Sequence, residues 1–259
     1  MDFEPIILEG FNRREESLEN IIRYKSKLFP VMIYRTNNLI HSRRVLYHLE
    51  KAIPDILEVY SKNLDIDFSR TLCLVHDDIE IITGDIVLHD KENMKKQQTK
   101  QLSLEEKKAI PKIIKMYSKN ANGFDYQELL NTAKYKDKLE AQFVSYFDKF
   151  DAAGEAWHEI FAGNYYFVLP AGGHNGRNGG YVRRLKEFPI KYPLMRDFFK
   201  RFPEYLPYQF NFKNKSKKGK PHTIDSLNNP SGYFPYDKWK KTIMEREGTD
   251  LLISPIEKL

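Results

Sequence analysis

Apolar side chains recur at helical spacing along the first two thirds of the chain, with polar residues between them. This period predicts amphipathic helices over residues 15–29, 39–52, 53–60, 68–82 and 136–162. The highly charged stretch 90–108 predicts a surface loop that leads into a helix, with Ser103 and Glu106 as its capping box. Asn122 and Gly123 predict a tight turn. The pattern as a whole predicts a mainly all-α fold built as a helical bundle.

The composition changes near residue 165. Beyond it the chain is richer in proline, has two glycine-rich turns and shows few clean helical repeats. We therefore predict a helical domain over residues 1–165 and an irregular C-terminal extension over residues 166–259. Aromatic residues such as Phe198, Tyr205 and Trp239 predict that the extension packs on the helical domain, because large aromatic side chains are usually buried in part.

The charge balance narrows the choice of partners. A net charge of +6 and a pI near 9.0 favour an anionic partner, although a solvated lysine-rich surface explains the same balance equally well. The single cysteine, Cys73, excludes an internal disulfide and a cysteine-based zinc site. No apolar run approaches the ~18 residues of a membrane helix, and the first residues lack a signal sequence. We predict a cytoplasmic protein without a membrane partner.

The most apolar segment of the chain is also rich in ionisable groups. The stretch VHDDIEIITGDIVLHD, residues 75–90, places His76, Asp77, Glu80 and Asp85 among isoleucine, valine and leucine. On a helix, Glu80 lies three residues from Asp77 and four from His76, so these side chains share a face. Buried carboxylates and imidazoles cost free energy unless they are paired. A metal ion with imidazole and carboxylate ligands would offset that cost.

Two flanking segments extend this pattern. RTNNLIHSRRVLYH stands at residues 35–48 and FDKFDAAGEAWHEIFAGN at residues 147–164. A lone histidine on a helix, then a His-Asp pair, then a late aspartate resembles the HD-domain metal-dependent phosphohydrolases. HDDIEIITGDI is similar to the segment of the bacterial 5'-deoxynucleotidases in this superfamily, in which a glutamate follows the His-Asp pair and an aspartate follows Thr-Gly. RTNN and EIFAGN add to the resemblance, which covers about residues 15–165.

The resemblance implies a helical-bundle hydrolase with one divalent metal ion. The implied metal ligands are His41, His76, Asp77 and Asp148. Imidazole and carboxylate ligands leave the metal open among Mn, Co, Fe, Ni, Zn and Mg. The resemblance also implies that Glu80 and Asp85 act in catalysis, by positioning or deprotonating water or by protonating the leaving oxygen.

Two residues before the first histidine are predicted to bind substrate. Arg35 offers a planar and always charged partner for phosphate, although a surface arginine is the alternative. Asn37 belongs to the same RTNN segment. Asp151 competes with Asp148 as the late ligand, because it lies three residues later on the same helical face, where it would otherwise cap or pair with a lysine.

The predicted substrates are (deoxy)nucleoside 5'-monophosphates, with triphosphates or other small phosphate esters as alternatives. The other class is a non-catalytic HD protein that binds nucleic acid through the basic run 211–222, for which a solvated loop is the simpler explanation. The glycine-rich stretch 167–185 fits neither common phosphate-loop pattern and predicts a flexible loop. His48 and His158 are predicted to be packed rather than metal ligands. A homodimer is left open.

Overall fold

The computed structural model describes residues 7–24, 36–61, 64–86, 88–162, 164, 167, 180–207 and 234–248. Its helices are α1 (Arg14–Glu19), α2 (Asn38–Tyr60), α3 (Ile66–Val75), α4 (Glu80–Thr83), α5 (Leu88–Asn93), α6 (Lys96–Met116), α7 (Tyr126–Tyr135), α8 (Leu139–Phe161), α9 (Tyr181–Lys191), α10 (Arg196–Arg201) and α11 (Tyr236–Glu247). Short 3-10 helices cover Pro193–Met195 and Pro203–Tyr205. Strands β1 (Asn120–Ala121) and β2 (Phe124–Asp125) form an antiparallel hairpin, with Asn120 opposite Asp125. The mainly all-α prediction is confirmed.

Helices α2, α3 and α8 pack on one another at the centre of the molecule. The buried stripe of α2 runs through Val45, Leu49, Ala52 and Ile56, at the spacing of one helix face. Helix α8 is buried on nearly every side, because α2 and α3 cover one part of it and α9 and α11 cover another. The candidate metal ligands lie on α2, on α8 and in the turn that follows α3.

Two helix bounds in the N-terminal part differ from the sequence prediction. Helix α1 ends at Glu19 and does not continue to residue 29, because Ile22 forms an isolated antiparallel bridge with Asn37. Pro54 does not begin a new helix, and α2 runs through it. Pro54 lies on the exposed side of α2, where Ala52 and Ile56 continue the buried stripe past it.

The charged stretch 90–108 is helical rather than a loop. It falls in α5 and in α6, which begins at Lys96. Ser103 lies inside α6, so the predicted capping box is wrong; instead, the Gln98 side chain accepts the backbone N–H of Lys95 at 2.8 Å. The turn at Asn122 and Gly123 is confirmed, since both residues have positive φ between β1 and β2.

The helix predicted over residues 68–82 is interrupted at the His-Asp pair. Helix α3 ends at Val75, and the N–H of Asp78 donates to the Val75 carbonyl at 3.1 Å. The N–H of Glu80 then donates to the Asp77 carbonyl at 2.9 Å, which is the tighter 3-10 spacing. Gly84, with φ 74°, ends α4 as the sequence predicts. The tight turn over residues 75–80 therefore contains the His-Asp pair.

The described parts of the C-terminal segment pack on the central helices. Helix α9 contacts α8, α10 contacts α2, and α11 contacts both α2 and α8. Trp239 of α11 lies directly against Gly154 of α8, where a Cβ atom would overlap the indole ring. The boundary near residue 165 stays a prediction, and the basic run 211–222 and residues 168–179 lie outside the described residues. The loop predicted over residues 167–185 is wrong for residues 181–185, which belong to α9. None of the described helices combines the length and the hydropathy of a membrane span.

Candidate metal centre and its pocket

The four implied metal ligands converge where α2, α3 and α8 meet. His41 comes from α2, His76 and Asp77 from the turn after α3, and Asp148 from α8. The His41 Nε2 atom lies 3.4 Å from an Asp148 oxygen and 3.7 Å from an Asp77 oxygen. The His76 Nε2 atom lies 3.4 Å from the same Asp77 oxygen. The structure thus brings the four side chains together, and their role as ligands stays a prediction.

Both histidines present a buried nitrogen to this space. The Nε2 atoms of His41 and His76 have no hydrogen-bond partner among the described residues. Each Nδ1 atom is held from behind: His41 Nδ1 lies 2.7 Å from an Asp151 oxygen, and His76 Nδ1 lies 2.7 Å from the Cys73 carbonyl. Because a carbonyl only accepts, His76 Nδ1 carries the hydrogen and Nε2 keeps its lone pair when the ring is neutral. Metal-binding histidines are usually held in this way, so these residues fit a divalent ion.

The two carboxylates that face these nitrogens are held in the ionised form. Burial raises the pKa of Asp148, but Lys149 and His41 outweigh burial and hold it well below its usual range. Burial also raises the pKa of Asp77, and the nearby His76 and His41 lower it overall. Burial lowers the pKa of His41, yet contacts with Asp148 and Asp151 raise it to about 9. The centre is therefore a buried site at which two ionised carboxylates favour binding of a cation.

A second set of carboxylates also lies near His41, but behind it. Asp151 and Glu155 come from the next turns of α8 and are buried, and they could form a metal-binding group with His41. Asp151 already accepts hydrogen bonds from His41 Nδ1 and from Trp239 Nε1, each at 2.7 Å. Asp148 instead lines the open pocket. We conclude that Asp151 orients His41 and that the pocket side of His41 is the candidate metal position.

Asn38 reaches the site, whereas its neighbour Asn37 caps α2. The Asn37 Oδ1 atom accepts the Ile40 backbone N–H at 2.9 Å. Asn38 Nδ2 donates to Glu80 Oε2 at 2.8 Å. Arg35 lies outside the described residues. The substrate-binding roles of Arg35 and Asn37 stay predictions.

His48 and His158 are packed, as the sequence indicates. His48 is buried edge-on against the Phe150 ring, 5.0 Å between centroids. His158 stacks on Tyr236, and its Nδ1 atom lies 2.8 Å from the Tyr236 hydroxyl. Both therefore contribute to packing between α8 and its neighbours.

Glu80 and Asp85 both line the pocket next to the centre. Burial and the charge of Asp77 raise the pKa of Glu80 to about 8, although Lys91, whose Nζ atom is 3.7 Å away, opposes them. Asp85 follows Gly84 directly, and its Oδ2 atom accepts the backbone N–H of Tyr24 at 3.3 Å. Glu80 is thus protonated at neutral pH, as a proton donor must be.

The pocket itself is a cavity of about 200 Å³ with a basic lining. Its cationic residues are Arg23, Lys91, Lys134, Lys136 and Lys149. Arg23 is buried, with Nε 3.1 Å from a Glu155 oxygen and Nη1 3.9 Å from an Asp77 oxygen. No sequence pattern predicts this group, because its members come from well separated parts of the chain and form no motif.

Part of the chain matches a known family model. Residues 54–160 match a family model described as HD domain, which covers fewer than half of the 259 residues. The match includes His76, Asp77 and Asp148 but not His41. A comparison with curated proteins gives no match.

Two solved structures are similar at low sequence identity. One is a conserved hypothetical protein from Pyrococcus furiosus, with 17% identity, a TM-score of 0.47, and coverage of 73% of this chain and 95% of that chain. The other is described as a predicted metal-dependent phosphohydrolase from Magnetospirillum magnetotacticum MS-1, with 18% identity, a TM-score of 0.49, and coverage of 74% and 90%.

Proposed function

We propose that the protein is a metal-dependent phosphohydrolase that removes phosphate from (deoxy)nucleoside 5'-monophosphates. One observation carries the proposal: two buried imidazole nitrogens, without hydrogen-bond partners among the described residues, face two ionised carboxylates beside a basic pocket. His41, His76, Asp77 and Asp148 would hold the divalent ion. The HD-domain match supports the hydrolase class, and the choice of nucleotide rests on the resemblance of residues 76–86. Triphosphates and other small phosphate esters are the alternatives.

The chemistry divides between the ion and the chain. A bound divalent ion polarises a phosphoryl oxygen and lowers the pKa of bound water. Arg23 and the lysines of the pocket offset the negative charge of the phosphoryl oxygens. Asn38 donates to Oε2 of Glu80, which leaves the proton of Glu80 on Oε1 for the leaving oxygen. Asp85, fixed by the N–H of Tyr24, is placed to accept a hydrogen bond from the attacking water.

The test is release of phosphate by purified protein. The protein is stripped of metal, reloaded with Mn²⁺, Co²⁺ or Mg²⁺, and incubated with nucleoside 5'-monophosphates, triphosphates and p-nitrophenyl phosphate. We expect hydrolysis of the monophosphates with at least one of the ions and none after chelation. If no ester is hydrolysed with any of the ions, the proposal is wrong.

Two variants separate metal binding from turnover. Asp77→Ala is expected to lose bound metal, measured by elemental analysis. Glu80→Gln is expected to keep the metal while kcat falls roughly 10²-fold, the usual scale for a proton-transfer group. Asp67→Asn is the control, because Asp67 is an exposed carboxylate of α3 that pairs with Arg70. Full metal occupancy in Asp77→Ala would contradict the ligand assignment.

A further inference from the structure

Lys136 is fixed by its backbone at the junction of α7 and α8. It has the left-handed conformation, with φ 56° and ψ 35°, which is uncommon for a residue other than glycine. Its N–H donates to the Thr132 carbonyl at 2.9 Å, and its own carbonyl accepts from Gln142 Nε2 at 3.1 Å. These two bonds hold the turn from both helices, and the Lys136 side chain lines the pocket.

Lys136 differs from the other cations of the pocket in its counterions among the described residues. Arg23 pairs with Glu155, Lys134 with Glu106, and Lys149 with Asp148. Burial lowers the pKa of Lys91, but the nearby Glu80 and Asp85 raise it overall. Lys136 forms no salt bridge with any carboxylate in the part of the chain that the structure describes. Burial and the charge of Lys149 lower its pKa to about 8, so its ammonium group lies where a further positive charge is unfavourable. An anion that enters the pocket would relieve that cost.

The charge of the pocket favours a doubly charged anion. Its lining contains five cationic side chains and five carboxylates, the latter being Asp77, Glu80, Asp85, Glu106 and Asp148. With Glu80 protonated and the other groups ionised, the lining carries one excess positive charge. A divalent metal ion raises that excess to three, of which a phosphate monoester dianion neutralises two. This positive charge is available to an anion, because Lys136 forms no salt bridge with a carboxylate among the described residues.

We propose that Lys136 is the residue that binds the phosphoryl group of the substrate in this pocket, an inference that rests on the proposed phosphohydrolase function. The fixed turn brings its side chain to the lining of the cavity, which it shares with the other four cations. A charged donor to a phosphate oxygen is among the stronger hydrogen bonds in proteins. Lys136 therefore selects for phosphate while the metal site carries the reaction.

The experiment measures phosphate binding as well as turnover. Inorganic phosphate is titrated calorimetrically into metal-loaded wild type, Lys136→Met, Lys136→Gln and Lys136→Arg. Lys138→Met is the matched control, because Lys138 lies two residues away, is 46% exposed and pairs with Glu128. We expect the phosphate Kd and the substrate KM to rise about 10- to 100-fold in Lys136→Met and Lys136→Gln, the scale of one charged hydrogen bond. Lys136→Arg is expected to stay within a few-fold of wild type, and Lys138→Met to match it.

Each outcome separates this inference from the proposed function. If wild type binds phosphate but hydrolyses no ester, the hydrolase proposal fails, and the Lys136 comparison can still be made by calorimetry. If wild type is active and both uncharged Lys136 variants keep its phosphate Kd with metal retained, Lys136 does not bind the phosphoryl group. An equal loss in Lys138→Met would also overturn the inference, because it would show a general effect of surface charge.

Discussion

Asp151 is the side chain on which the orientation of His41 depends. Its Oδ2 atom lies 2.7 Å from His41 Nδ1, and its Oδ1 atom accepts from Trp239 Nε1. A carboxylate can only accept here, so His41 carries a hydrogen on Nδ1, and when the ring is neutral the lone pair of Nε2 faces Asp77 and Asp148. Asp151 therefore orients the candidate ligand His41, although Asp151 itself does not line the pocket.

Asp151→Asn tests this dependence. An asparagine keeps the Oδ1 acceptor for Trp239 but presents an amide N–H₂ group to His41 Nδ1. We expect the imidazole to move its hydrogen to Nε2, which removes the lone pair from the metal position. Metal affinity should fall about 10- to 100-fold, the scale for lost support of a ligand, as measured by competition with a metal indicator.

Asp55→Asn is the control for the Asp151 variant. Asp55 also accepts a hydrogen bond from an aromatic side chain of the C-terminal segment, the Tyr205 hydroxyl at 2.6 Å. It lies 14 residues along α2 from His41, or ~21 Å. Unchanged metal affinity in Asp151→Asn, or an equal loss in Asp55→Asn, would show that Asp151 does not orient the ligand.

Single residues were predictable where they formed a motif and not where only the fold brings them together. The implied ligands, with Glu80 and Asp85, stand in short segments whose order could be compared with a family, and the structure places all six beside one pocket. Arg23 and Lys136 form no motif, because they reach the pocket from a loop and from a helix junction far apart in sequence. The support from Asp151 depends on a contact 110 residues apart in the chain.

At the scale of elements, the short segment from α3 to Asp85 depends on a backbone conformation that few residues can adopt. Gly84 has φ 74° and ψ 161°, a region open essentially to glycine alone. A Cβ atom there would meet nothing within 4 Å, so substitution acts through the backbone and not through a clash. Asp85 is the next residue, and its position depends on this turn.

Gly84→Ala is expected to lower both stability and turnover. Forcing alanine into this conformation costs about 1–3 kcal/mol in the free energy of unfolding, measured by denaturant titration. Relaxation of the turn would displace Asp85, so kcat should fall while bound metal is retained. Gly123→Ala is the control, because Gly123 also has positive φ but lies in the β1–β2 hairpin. A normal kcat in Gly84→Ala would show that the reaction does not depend on the conformation of this turn.

The bounds of the elements were harder to predict than their type. Periodicity identified the helical regions, yet α2 continues through Pro54 because burial on its opposite side outweighs the local signal. Helix α1 stops early because Ile22 forms a bridge with Asn37, and no local sequence pattern predicts that bridge. The His-Asp turn divides a segment whose apolar period is continuous, since the N–H groups of Asp78 and Glu80 bond to carbonyls three residues back instead of four.

For the whole molecule, the contact of Trp239 with Gly154 ties the C-terminal segment to α8. A Cβ atom at position 154 would overlap the indole ring. In an ordinary helix, glycine to alanine is favourable by about 1 kcal/mol. We expect Gly154→Ala to destabilise the protein, because the overlap outweighs that gain.

A double-mutant cycle tests the contact. In the Trp239→Ala background the overlap is absent, so Gly154→Ala should become neutral or stabilising, as measured by unfolding free energies. The same sign in both backgrounds would show that Trp239 does not need the space left by Gly154. The sequence predicted that the tail packs through its aromatics, but which glycine receives the indole depends on the folded arrangement of α8 and α11.

The bond from Trp239 to Asp151 also has a consequence for synthesis of the chain. The two residues are 88 positions apart, so a ribosome completes Asp151 long before it adds Trp239. Until α11 emerges, Asp151 lacks its indole donor and the surface of α8 at Gly154 is uncovered. Contacts of such long separation form late in folding. The nascent chain thus completes the hydrogen bonds of Asp151 only after Trp239 has left the ribosome.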